Sequence, residues 1–144
     1  MRILYGTLLL VAAVALPVSA DILLHQLQGT WKSDKDATLA ELRKHDHWTE
    51  ERIKLIEGIL GKMTVRFSGK TMQTEFLDLK SEVEPNVKKL EDGRIRIEYT
   101  DQTFGKQVSI VEVSGDSMWV TWPETPIPFR ERFARERDKA EPPR

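Results

Sequence analysis

The 144-residue sequence contains no cysteine. An exported chain without disulfides must stand on its hydrophobic core alone, which a domain of this size can supply. Long apolar runs are missing too. The longest, Leu8 to Leu16, falls short of the roughly 20 residues that span a bilayer. Charge of one sign is also lacking: 22 basic residues face 23 acidic ones. That balance argues against a nucleic-acid binder, which needs a basic patch to neutralise phosphates. The three histidines all precede residue 48, so strands from Lys62 onward hold no histidine to ligate haem. No serine sits in a Gly-x-Ser-x-Gly elbow, and no catalytic motif is found, so an enzyme is not expected.

The first segment to set aside is residues 1–20. Arg2, the apolar run and Pro17-Val18-Ser19-Ala20 together read as a secretory signal with cleavage after Ala20. No transmembrane segment and no cysteine for a lipid anchor follow the cleavage point. The leader holds one of the 22 basic residues and none of the 23 acidic ones, which leaves 21 against 23 in the remainder. The expectation is one domain over 21–135, a charged tail over 136–144, and a periplasmic or secreted location, the absence of cysteine leaning toward the periplasm.

Asp21 is placed to cap a helical turn that sets Leu24 and Leu27 inward and plugs one end of the fold. Gly29 breaks it, and Trp31-Lys32-Ser33 reads as a strand. Thr38-Leu39-Ala40-Glu41 matches a capping box, which predicts a helix from Leu39 to about His45. Thr49, followed by Glu50 and Glu51, caps a second helix. Trp48 and Ile53 form its hydrophobic staple, and Ile53, Leu55, Ile56, Ile59 and Leu60 its apolar face. Gly61 ends it.

From Lys62 the hydrophobic period drops from 3.6 to 2. Met63, Val65 and Phe67 alternate with polar residues, as do Met72, Thr74 and Phe76, then Ile95, Ile97 and Tyr99, then Met118, Val120 and Trp122. Ser68-Gly69-Lys70, Asp92-Gly93 and Ser114-Gly115-Asp116 mark turns. A weaker strand runs from Glu82 to Leu90, with Pro85 marking an edge or bulge. A change of phase near Ile110 predicts a bulge. Pro123 to Pro128 reads as a rigid connection and Pro128 to Arg135 as the last strand. The fold class is mainly β: about eight antiparallel strands closing into a barrel, with a helix-turn-helix between the first and second.

Gly29-Thr30-Trp31-Lys32 resembles the Gly-x-Trp signature of the calycins, the lipocalins and fatty-acid-binding proteins. The helix-turn-helix after the first strand is similar to the lid of fatty-acid-binding proteins. The chain is too short for ten full strands and looks more like the small bacterial lipocalin-like secreted domains. The resemblance implies that Trp31 lies at the closed end of the barrel with an arginine of the last strand across it, Arg130 or Arg132. In fatty-acid-binding proteins an Arg and a Tyr two residues apart on that strand hold the ligand carboxylate; Arg130 matches the Arg, and Arg132 stands where the Tyr would be. Strand alternation sets a choice between Arg130 and Arg132 facing inward and Phe129, Glu131 and Phe133 doing so. The apolar pair favours the second. Glu131 is then interior, paired with an Arg or Lys.

The candidate pocket lining is Met63, Val65, Phe67, Met72, Phe76, Ile95, Ile97, Tyr99, Met118 and Val120, and the alternative is that these pack a filled core. His45-Asp46-His47 is read as a solvated helix junction, because residues two apart on a helix diverge; neither a metal nor a cofactor is expected. The functional expectation is a binding module for a small hydrophobic or amphipathic ligand, such as an acyl chain, with an interior arginine meeting an anionic head group. The alternative is a filled-barrel structural or protein-interaction module of the cell envelope, with Trp119 on its surface.

Overall fold

The computed structural model describes residues 20–125 and 129–137. The leader lies outside the described residues except for Ala20, as do 126–128 of the Pro-rich connection and most of the charged tail. The elements run α1 (Ala20–Leu27), β1 (Gly29–Ser33), α2 (Lys35–Leu42), α3 (Glu50–Ile56), β2 (Met63–Ser68), β3 (Thr71–Phe76), β4 (Leu79–Val83), β5 (Asn86–Lys89), β6 (Ile95–Asp101), β7 (Gly105–Ser114), β8 (Ser117–Thr121) and β9 (Arg130–Arg135). The strands form one antiparallel sheet in the order β4-β3-β2-β1-β9-β8-β7-β6-β5. Among the described residues, no helix is long and apolar enough to cross a membrane.

The sheet has nine strands where the pattern suggested about eight, because the weak Glu82–Leu90 stretch breaks at Glu84-Pro85 into β4 and β5. These two strands lie at opposite ends of the hydrogen-bonded order yet are joined by two residues. The sheet therefore curls until its edges meet at a seam, and Pro85, which has no N–H to donate, sits there at no cost to a ladder. No bulge occurs at Ile110. The registers of β7 with β6 and β8 are continuous. Val108 and Ile110 therefore face out, and Ser109 takes a polar turn on the inward side, where it is buried.

Inside the barrel, Leu24 and Leu27 of α1 pack with Trp31, Val65, Phe67, Met72, Ile97, Val111, Met118 and Phe133. Each such side chain contributes about 1.5–3 kcal/mol on burial. Helix α1 is the expected plug, though it starts at Ala20, ahead of Asp21. A second cluster, Leu39, Leu42, Trp48, Ile53 and Leu60, lies under α2 and α3.

Two local expectations change there. Asp34, not Thr38, caps α2, accepting from the Ala37 N–H at 3.1 Å. Thr38 is instead fully buried inside the helix. The α3 staple of Trp48 and Ile53 and the Thr49 cap are present. Its apolar face is narrower than its sequence implied: Leu55 is 79% exposed and Ile59 49%. Leu55 lies about 200° around the helix from buried Ile53 and so faces solvent, while Ile59 falls after α3 stops at Ile56, where the chain turns to Gly61 at a φ of 80° and leaves the helical wheel.

Candidate functional site

The closed end is built first. Trp31 has no exposed surface, and its indole N–H donates to the Leu27 carbonyl at 2.8 Å. The guanidinium stacked on it, 4.4 Å from the ring centre, belongs to Arg135. Neither Arg130 nor Arg132 takes that place, because both project from the outer face of β9. Arg130 lies 4.4 Å over Trp119 and pairs with Glu41 at 2.8 Å. Arg132 pairs with Asp34 at 2.6 Å. Burial raises the Glu41 carboxyl, but the hydrogen bond and charge of Arg130, helped by Lys44 and His45, outweigh it and hold Glu41 below its ordinary range. Gly29, at a φ of 113°, brings the chain past Arg135 in a conformation that disfavours any side chain. Gln28 ties this end to the β2–β3 turn through Gly69, at 2.9 and 3.0 Å.

Above this end the barrel is filled. Val65, Phe67, Met72, Ile97, Met118 and Val120 leave a residual space of about 30 Å³. Ile95 is buried in the same core and lines neither space. The candidate pocket residues thus divide. These seven pack the interior, Phe76 lines a larger cavity of about 490 Å³ at the other end, beneath the end of the helical segment, and Met63 and Tyr99 border both spaces. Ile59, Leu60, Leu79, Phe104, Trp122 and Phe129 complete its apolar wall. Ile59, Leu79 and Phe104 also stand exposed at its mouth, Phe104 at 60%. Next to Leu79, Leu77 adopts a φ of 54° and is exposed as well, an uncommon conformation for a bulky residue.

The polar lining is sparse and acidic. Glu131 faces inward with Phe133, as strand alternation favoured, and is 6% exposed. Its partner is not an arginine or lysine. Oε1 accepts from the Ser33 hydroxyl, whose oxygen accepts in turn from the Gly61 N–H at 2.9 Å. No hydrogen bond reaches Oε2 from the described residues. Burial pushes the Glu131 carboxyl above its ordinary value, and the Ser33 hydrogen bond offsets part of the rise. Asp101, on β6, is buried at the opposite rim. Its Oδ1 accepts from the N–H groups of Thr103 and Phe104 at 2.6 and 2.9 Å. The Phe104 N–H, the adjacent Ser81 hydroxyl and the Thr103 N–H hold its carboxyl below the ordinary range against the opposing effect of burial. The Ser81 hydroxyl approaches without meeting hydrogen-bond geometry and is buried and unpartnered. Among the described residues no arginine lines the cavity, and Lys80, the one basic lining residue among them, directs its ammonium outward toward Glu75 at 3.9 Å. The expected interior arginine for an anionic head group is therefore not there.

A scan of family models finds none that matches, and no curated protein matches either. Among solved structures, the fatty acid binding protein of Schistosoma mansoni, solved in complex with arachidonic acid, is similar at a TM-score of 0.45 and 18% identity. The match covers 79% of this chain and 98% of that one. It assigns this chain no family and no ligand.

Asp101 and Trp122 were not among the candidate residues, although period two carried the signal for both. Ile95-Ile97-Tyr99 continued by one step reaches Asp101, and Met118-Val120 reaches Trp122. Ile59 carried the helical period and Phe129 the alternation of the last strand, though neither was assigned to a pocket, while Phe104 lies in the turn between β6 and β7, where no periodicity points to it.

Glu131 gives a pH signature. A carboxyl whose folded pKa is raised binds its proton more tightly in the native state, so its contribution to stability is full below its ordinary value of 4.5 and is lost as pH rises through the folded value. Glu131→Gln keeps the acceptor for Ser33 and removes the ionisation. Thermal melts are expected to show the variant gaining on the wild type as pH rises from 4.5 to 7.5; a constant difference would mean that Glu131 titrates as it does in the unfolded chain.

Proposed function

We propose that this protein is a binding module that holds a small hydrophobic or amphipathic molecule in the open half of its barrel. The cavity carries the reading. Its volume of about 490 Å³ lies within the range of about 300–1,000 Å³ usual for ligand sites. Its wall is apolar, with few polar groups, and its mouth is ringed by exposed Ile59, Leu79 and Phe104. The filled-barrel alternative describes the closed half alone. The leader read over residues 1–20 supports a place outside the cytoplasm, in the periplasm or secreted. The chain has no catalytic motif to support an enzymatic use of the cavity, so binding alone is proposed.

Thr74 lies on the inward side of β3, where the cavity meets the filled interior. An indole placed there occupies the ligand space. A neutral polarity-sensitive dye is expected to bind the wild type saturably, and Thr74→Trp about tenfold or more weakly, with its melting temperature retained. Equal binding by both proteins, or none by the wild type, would contradict the reading.

A further inference from the structure

We infer that the cavity selects an amphiphile whose head group is a protonated amine, received by the Glu131 carboxyl with Asp101 adding negative charge in the same space. This deepens, and rests on, the reading of the cavity as a binding site.

The first observation is the unused acceptor. Glu131 is 6% exposed, lines the cavity, and has one oxygen bound by Ser33 and the other by nothing among the described residues. Oε2 opens on the cavity and accepts from none of the described residues, so a ligand N–H can donate to it. The Ser33 hydroxyl cannot turn to serve a second acceptor, because its oxygen is committed to the Gly61 N–H and its proton to Glu131.

The second observation is the sign of the charge. Asp101 is held in its ionised form by two backbone N–H groups and opens onto the same cavity. The cation that could offset it, Lys80, points its ammonium to solvent and to Glu75. The three arginines of β9 are occupied elsewhere: Arg130 by Glu41, Arg132 by Asp34, Arg135 by Trp31 and Asp116. A carboxylate head group entering this space meets two carboxyls and, among the described residues, no free cation, in surroundings where low polarity magnifies the repulsion. An ammonium meets Glu131 as a charge-assisted acceptor, which is stronger than a neutral one, and Asp101 across the cavity adds attraction.

The test uses three ligands with the same chain, decylamine, 1-decanol and decanoate, each displacing the neutral dye at pH 7. The amine is expected to bind about tenfold or more tightly than the alcohol, and decanoate more weakly than either. Glu131→Gln and Asp101→Asn, which both keep an acceptor oxygen for their present partners, should each narrow the gap between amine and alcohol while leaving the alcohol's affinity within about threefold. An amine that binds no more tightly than the alcohol, or decanoate binding tightest, would overturn the inference while leaving the binding site intact. Displacement by none of the three, or displacement unaffected by Thr74→Trp, would overturn the proposed function itself.

Discussion

Trp31→Ala is expected to remove about 3–5 kcal/mol of stability, the range for truncating a fully buried large aromatic. Domains of this kind have only about 5–15 kcal/mol in all, so this single change brings the fold near its limit. Three losses act together. The ring has no exposed surface, and its removal opens a void at the closed end. Arg135 loses the ring face it lies on at 4.4 Å. The Leu27 carbonyl loses its indole donor at 2.8 Å, which loosens α1 where it plugs the barrel. Trp31→Phe keeps most of the area and should cost less than the alanine variant. Urea unfolding measures both. A cost under about 1 kcal/mol for Trp31→Ala would show that this end is closed by other contacts.

Thr38→Val should cost about 1–3 kcal/mol, the penalty for orphaning a buried donor, although the two side chains are nearly the same size. The Thr38 hydroxyl is buried between two elements. It donates to the Asp34 carbonyl at 2.8 Å and accepts from the Arg132 N–H at 3.0 Å. Asp34 completes the joint, its N–H donating to the Arg132 carbonyl at 2.8 Å and its carboxylate pairing with the Arg132 guanidinium. The helical segment is thereby fastened to β9, the strand that carries Glu131. Thr38→Ser retains the hydroxyl and should recover most of the loss. If valine and serine variants unfold at the same urea concentration, the hydroxyl is not what holds the joint.

Much of the barrel was legible because inward and outward residues alternate without interruption along β2, β3, β6 and β8. The turns carried glycines at positive φ, as at Gly69, Gly93 and Gly115. Gly29 and Trp31 were recognisable as the closing pair of residues, but their arginine partner was misassigned. The parity of β9 contained the answer: if Glu131 and Phe133 face inward with Trp31, so does Arg135, and Arg130 and Arg132 cannot. Register then decides the contact, since Trp31 lies directly across from Arg135, and register depends on pairing between distant segments.

The cavity was harder to see for a different reason. Val65 and Met63 are two residues apart on the same face of β2, yet one packs the filled half and the other lines the open half. Alternation gives the face of a strand and says nothing about depth along the barrel axis. Depth is set by where α1 enters from one end and where Ile59 and Leu60, after α3, reach the other. Thr38 shows a similar limit. Thr-x-x-Glu is a local signature of a helix start, and here tertiary contacts with β9 took the threonine into the helix while Asp34, four residues earlier, became the cap.

The open half of the barrel is proposed to hold a ligand. Native mass spectrometry of the protein expressed with its own leader and purified without detergent tests it most directly. The wild type is expected to carry one bound small molecule that dissociates on collisional activation, and Thr74→Trp, purified in the same way, to appear at its bare mass. A bare mass for both proteins, or the same adduct retained by Thr74→Trp, would contradict the account.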